Sequence, residues 1–171
     1  KTDGFRENAD QEDQIANVFA QVELSPATSI QAEYRYRNAE YGDLPLRFFS
    51  DDVFGGQRNT EERHSGRFGL RHTFSPGSVL LASFMYQDAK FDLNDEQPGA
   101  FLESLRAARP ESGLSGEVQH IYRSRLVNLT TGAGYFDTDG QIDTTLVINP
   151  EFVPPPFNVI EESSPTDLQH V

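Results

Sequence analysis

Cysteine is absent from this 171-residue chain, which excludes disulfides, zinc–thiolate centres and thiol nucleophiles. Tryptophan is absent as well and methionine occurs once, so 13 Phe and 6 Tyr supply nearly all the large aromatic surface. Long apolar runs are also missing. The longest, from Val79 to Tyr86, already contains Ser83, far short of the roughly 20 residues a membrane-crossing helix needs. Positive charge is scarce: 14 Lys and Arg stand against 27 Asp and Glu, giving a net charge of −13 and a pI near 4.6. Such a chain repels phosphate backbones, so no nucleic-acid partner is expected.

What is present is a period of two. Val18, Ala20, Val22 and Leu24 alternate with Asn17, Gln21 and Glu23. Ser25-Pro26-Ala27-Thr28 then supplies a tight turn, because proline presets φ and the hydroxyls bond nearby backbone. Alternation resumes with Ile30, Ala32, Tyr34 and Tyr36 on one face and Gln31, Glu33, Arg35 and Arg37 on the other. The unit recurs. Phe68, Leu70, His72 and Phe74 lead into Ser75-Pro76-Gly77-Ser78, and Leu80, Ala82, Phe84 and Tyr86 return. A third copy runs Val118, His120, Tyr122, a turn near Ser124-Arg125, then Leu129, Thr131, Ala133 and Tyr135.

These repeats predict an all-β, antiparallel up-and-down meander of about six strands in three hairpins, near 15–41, 67–91 and 116–137, within a segment 14–143. Residues 1–13 read as a polar, acidic terminus and 144–171 as a Pro-rich acidic tail. The stretches 42–66 and 93–115 read as long polar loops. Tight turns at one end and long excursions at the other are unusual in compact domains, whose connections are short on both sides.

Alternation of this kind suits a soluble sheet over a core. It equally suits a membrane barrel whose apolar face meets lipid. The apolar faces carry no Lys, Arg, Asp or Glu through their middles, as lipid contact requires. Phe74 and Tyr122 beside the tight turns, with Tyr36, Tyr41, Tyr86, Phe91 and Tyr135 toward the other end, are spaced like two interfacial girdles. The polar face holds Glu33, Arg35, Arg37, Arg67, Arg71, Glu117, Gln119, Arg123 and Asn128, the makings of a polar barrel wall.

The hairpins Val18 to Tyr41 and Phe68 to Tyr86, with their Leu-Ser-Pro-Ala-Thr-Ser and Phe-Ser-Pro-Gly-Ser turns, resemble those of Gram-negative outer-membrane β-barrels. The nearest likeness is to the barrel portion of TonB-dependent receptor-type proteins, over roughly Ile15 to Tyr135. That resemblance implies an outer-membrane location and the bilayer as a partner. It also implies short periplasmic turns, long extracellular loops, uptake of a small nutrient ligand and an energy-coupling periplasmic protein. No plug domain is recognisable. Single-chain membrane barrels begin at eight strands, so six strands imply an open section of a larger barrel.

Chemistry-bearing motifs are weak. Asp137-Thr138-Asp139-Gly140 resembles the start of a calcium loop but lacks the later glutamate in register, and reads better as a turn. The four histidines show no ligand spacing. Catalytic, cofactor and metal residues are therefore not assigned, and no enzyme activity is expected. For ligand contact the first long loop stands out, with Arg47, Phe48, Phe49 and Phe54 placing aromatics among charges. Three roles fit: a transport or receptor barrel segment, a structural or surface-binding outer-membrane barrel, and a soluble antiparallel β binding module.

Overall fold

In the computed structural model, which describes residues 1–4, 7–44 and 54–170, the chain forms one open antiparallel sheet. Its strands are β1 (Gln11–Ser25), β2 (Thr28–Tyr41), β3 (Arg58–Ser75), β4 (Ser78–Glu96), β5 (Leu102–Arg123), β6 (Asn128–Ile148), β7 (Val159–Pro165) and β8 (Leu168–His170). Strands β1 to β7 lie side by side in chain order, and β8 also pairs with β6. β7 runs along β6 from Val147 to Gln141 and β8 continues from Thr138 to Phe136, so the two lie end to end on one edge. The sheet does not close. Among the described residues no helix is long and apolar enough to cross a membrane.

The tight turns form as the sequence dictates. Strand pairing stops at Ser25 and resumes at Thr28, and likewise stops at Ser75 and resumes at Ser78. Each proline-containing turn is also tied to the next hairpin. The Thr73 N–H donates to the Ala27 carbonyl at 2.7 Å, and the Arg123 N–H donates to the Gly77 carbonyl at 2.7 Å. A side chain at Gly77 would place its Cβ 2.3 Å from the Arg123 carbonyl oxygen, which explains glycine there.

Three sequence expectations are corrected. The strands number eight rather than six, because the 144–171 segment continues β6 to Ile148 and then forms β7 and β8. The supposed loops are largely strand: residues 58–66 belong to β3, 93–96 to β4 and 102–115 to β5. The 137–143 stretch is neither turn nor loop tip but the middle of β6. One physical reason covers all three. Alternation marks a strand only where its two faces meet different media, and most of these stretches carry polar residues on both faces, while Leu146-Val147-Ile148 is apolar on both. The acidic terminus is also partly ordered, with β1 beginning at Gln11 and Thr2 bridging back to it.

Register fixes the faces, since directly opposed residues share one. One face carries the row Val22, Ile30, Leu70, Ala82, Val118, Ala133 and the next row Ala20, Ala32, Phe68, Phe84, Gly116, Tyr135. Neither row contains a charge. The opposite face carries Phe19, Glu33, Arg67, Met85, Ser115 and Phe136.

A single layer gives neither face anything to pack against. Among the described residues only Ala9 and Ala39 are buried hydrophobics, while Phe68 and Phe84 stay nearly half exposed. The accessible surface is 11849 Å², whereas a compact monomer of 19.2 kDa would expose about 8,400 Å². The order of this sheet comes from its backbone ladder and cross-strand side-chain pairs.

Candidate functional site

The chemistry of the polar face concentrates where β2 and β3 pair. Arg37 stands directly opposite Arg63, Arg35 opposite Ser65, and Glu33 opposite Arg67. Like charges directly opposed across a ladder are unfavourable, and carboxylates are interposed. Glu61 binds Arg37 at 3.2 Å and Arg63 at 2.9 Å. Asp13 of β1 accepts from Arg37 Nε at 3.0 Å and from its Nη2 at 2.9 Å. Glu33 takes Arg35 at 2.6 Å and reaches Arg67 at only 3.9 Å. The remaining contact of Arg67 is soft, with Nη2 3.7 Å from the Met85 sulfur. Glu33, Ser65, Met85 and the four arginines border a groove of about 500 Å³, and Asp13 and Glu61 hold Arg37 and Arg63 from outside its lining.

Of the expected wall residues, Glu33, Arg35, Arg37 and Arg67 are brought together in this groove. Arg71, Glu117 and Gln119 line a second hollow of about 350 Å³ nearer the tight turns, beside Gln31 and Gly69. There the Gln119 amide donates to Glu117. Arg123 and Asn128 pair with each other at the β5–β6 turn, apart from both. Arg63, Glu61 and Asp13 belong to the site although the sequence reading left them in a loop and a terminus. Following the period of two back from Arg67 through Ser65 would have found Arg63 and Glu61 on β3, and following it back from Phe19 through Asn17 and Ile15 would have reached Asp13 on β1.

The rim around Asp43 and Phe54 is a second polar cluster. Asn8, in a left-handed conformation, donates its amide to the carbonyls of Phe54 at 2.7 Å and Gln57 at 2.8 Å. Asp43 is fully buried and accepts the Phe54 N–H at 3.1 Å. Asn59 donates to the Gly42 carbonyl at 3.3 Å. Arg58 contacts both oxygens of Asp10 at 3.0 Å, and this hydrogen-bonded cation holds the Asp10 carboxyl below the usual carboxylate range. The N-terminal segment thus clamps both roots of the β2–β3 connection. Of the expected ligand contacts there, Phe54 is held by this clamp, while Arg47, Phe48 and Phe49 lie outside the described residues.

The apolar face is bordered at both ends by aromatics and hydrogen-bonded imidazoles. Near the tight turns His72 pairs with the Thr28 hydroxyl at 2.8 Å and His120 with the Ser78 hydroxyl at 2.9 Å, and the Phe74 ring meets both edge-on. At the other end the Tyr34 hydroxyl meets His64 Nδ1 at 2.7 Å, Glu62 meets Nε2 at 3.1 Å, and Tyr36 packs on the ring. Of the expected upper girdle, Tyr36, Tyr86 and Tyr135 lie on this face. Tyr41 and Phe91 share the polar face instead, because their odd positions place them in register with Glu61 and Asn59.

No protein-family model matches this sequence, and no curated protein matches it either. The functional reading therefore rests on the sheet itself. Among the described residues no group of three or more His, Asp or Glu side chains converges to hold a metal ion.

Proposed function

We propose that this chain is a wall section of an outer-membrane-type β-barrel, serving as a structural and surface-binding element rather than as an enzyme. The observation that carries this reading is a single-layer sheet with one apolar face, free of Asp, Glu, Lys and Arg through four rows and carrying only Asp137 in the fifth, and one charged face. The apolar band runs from the row of Tyr122 and Leu129 to the row of Val18, Tyr34 and Tyr86, which is five rows. Five rows span about 27 Å along the strands, or about 21 Å in height at a barrel tilt of ~40°. Barrels present a lipid-facing band of about 25 Å, flanked by aromatic girdles. On this reading lipid covers the apolar face, and the strands beyond the band rise as a rim into water. The edges of β1 and β7–β8 pair with further strands, since an open edge of this length invites unwanted pairing.

Impermeant-maleimide labelling of single cysteines in intact cells tests the topology. A cysteine at Pro98 lies in the rim turn, and one at the highly exposed Leu126 lies in the β5–β6 turn. Labelling at position 98 but not at 126 until the cells are broken supports the reading. Equal labelling of both in intact cells, or of neither, contradicts it.

A second reading, uptake of a small ligand by a receptor-type barrel with an energy-coupling partner, is favoured by the arginine-lined groove on the polar face. Impaired growth on a scarce nutrient after deletion, restored by re-expression of the parent protein, would support it over a purely structural role.

A further inference from the structure

We propose that the β2–β3 groove is a binding site for a small polyanion carrying two or more carboxylate or phosphate groups. Only 14 of the 171 residues are Lys or Arg, yet Arg35, Arg37, Arg63 and Arg67 converge on this one groove. Their carboxylate partners are Glu33, Asp13 and Glu61, three acids against four guanidiniums. The patch keeps a surplus positive charge in a chain of net charge −13. Arg37 directly opposite Arg63 is a local arrangement a sheet avoids unless something else requires it. Such breaks in local consistency are expected at functional sites.

The donors are also spare. A guanidinium offers five N–H groups in a planar fork suited to carboxylate and phosphate oxygens. Arg67 meets Glu33 only at 3.9 Å and otherwise touches the Met85 sulfur, so its fork is open to a ligand oxygen. The four arginines occupy three successive rows, about 14 Å from first to last, which spans two anionic groups of one small molecule. Neutral hydrogen-bonding side chains, Asn17, Ser65 and Gln87, share the row of Arg35. The site lies on the face opposite the apolar band, so it stands whether lipid or protein covers that band.

Calorimetric titration of the intact detergent-solubilised protein with citrate and with inorganic pyrophosphate tests this, with chloride at equal ionic strength as the control. Saturable binding of at least one anion is expected, weakened about tenfold in Arg67→Gln and in Arg35→Gln. Glu33→Gln removes the competing internal carboxylate and should tighten binding severalfold, a gain that damage to the fold cannot produce. Which anion binds more tightly separates a polycarboxylate site from a phosphate site. The proposal is overturned if neither anion binds beyond the chloride control, or if Arg67→Gln binds as tightly as the parent.

Discussion

The turn-side half and the rim half of this sheet share the same strands and ladder but carry different sequence grammar. On the turn side, the rows of Val22 and Ala20 carry no charged residue across β1 to β6, and the row between them, from Gln21 to Gly134, is polar or glycine throughout. On the rim, residues 58–66 and 102–115 mix charges, glycine and proline on both faces while remaining paired strand. The ladder runs through both halves, interrupted in the rim where β5 passes Arg109 and Pro110 beside β6. On the proposed reading what differs is the medium each face meets, an apolar one on a single face of the turn-side half writing the period of two into the sequence.

The comparison breaks most visibly with arginine. Ala32→Arg within the apolar band should destabilise the membrane-inserted protein by about 2–4 kcal/mol. Ala108→Arg, on the same face of the rim, should stay within about 0.5 kcal/mol. Urea unfolding in lipid vesicles measures both. Comparable losses at the two sites would remove the distinction between the halves.

Glycine contrasts the halves more gently. A Cβ at Gly132 would lie 2.7 Å from the Val118 carbonyl oxygen, which the ladder holds in place, whereas at Gly113 the nearest atom is 3.7 Å away. Gly132→Ala should cost about 1–3 kcal/mol. Gly113→Ala should be neutral or slightly stabilising, because it restricts the unfolded chain. On the rim itself, Asn59→Ala leaves the buried Gly42 carbonyl without its side-chain donor and should cost about 1–2 kcal/mol.

The smallest expected effect is in pH. Hydrogen bonding to Arg58 lowers the Asp10 pKa in the folded state. Its contribution is therefore fully present above the unfolded value of about 3.9 and is lost as pH falls through the lower folded value. Arg58→Gln should raise the Asp10 midpoint toward about 3.9, seen by NMR titration. The pair is solvent-exposed, so 1 M salt should shrink the difference.

This contrast also sets what could be read from sequence. The three hairpins, the two proline turns and the identity of the apolar face were legible because every second residue had to be nonpolar. β7, β8 and the upper parts of β3, β4 and β5 were not, because a strand with two wetted faces looks like a polar loop. The groove was half legible for the same reason: Glu33, Arg35, Arg37 and Arg67 sit where alternation is clear. Asp13, Glu61 and Arg63 sit just above it. Tyr41 and Phe91 show the converse error, aromatics placed by height along the strand when parity decides the face.

The central claim is that the two faces of the turn-side half meet different media, lipid on one and water or polar protein on the other. The absence of native tryptophan allows a direct test. Tryptophan is introduced at Phe84 on the apolar face and, separately, at Met85 beside it on the polar face, and the protein is reconstituted in vesicles containing brominated lipid. Strong quenching at position 84 with little at 85 is the predicted result, and equal quenching at both positions, or none at either, would contradict the account.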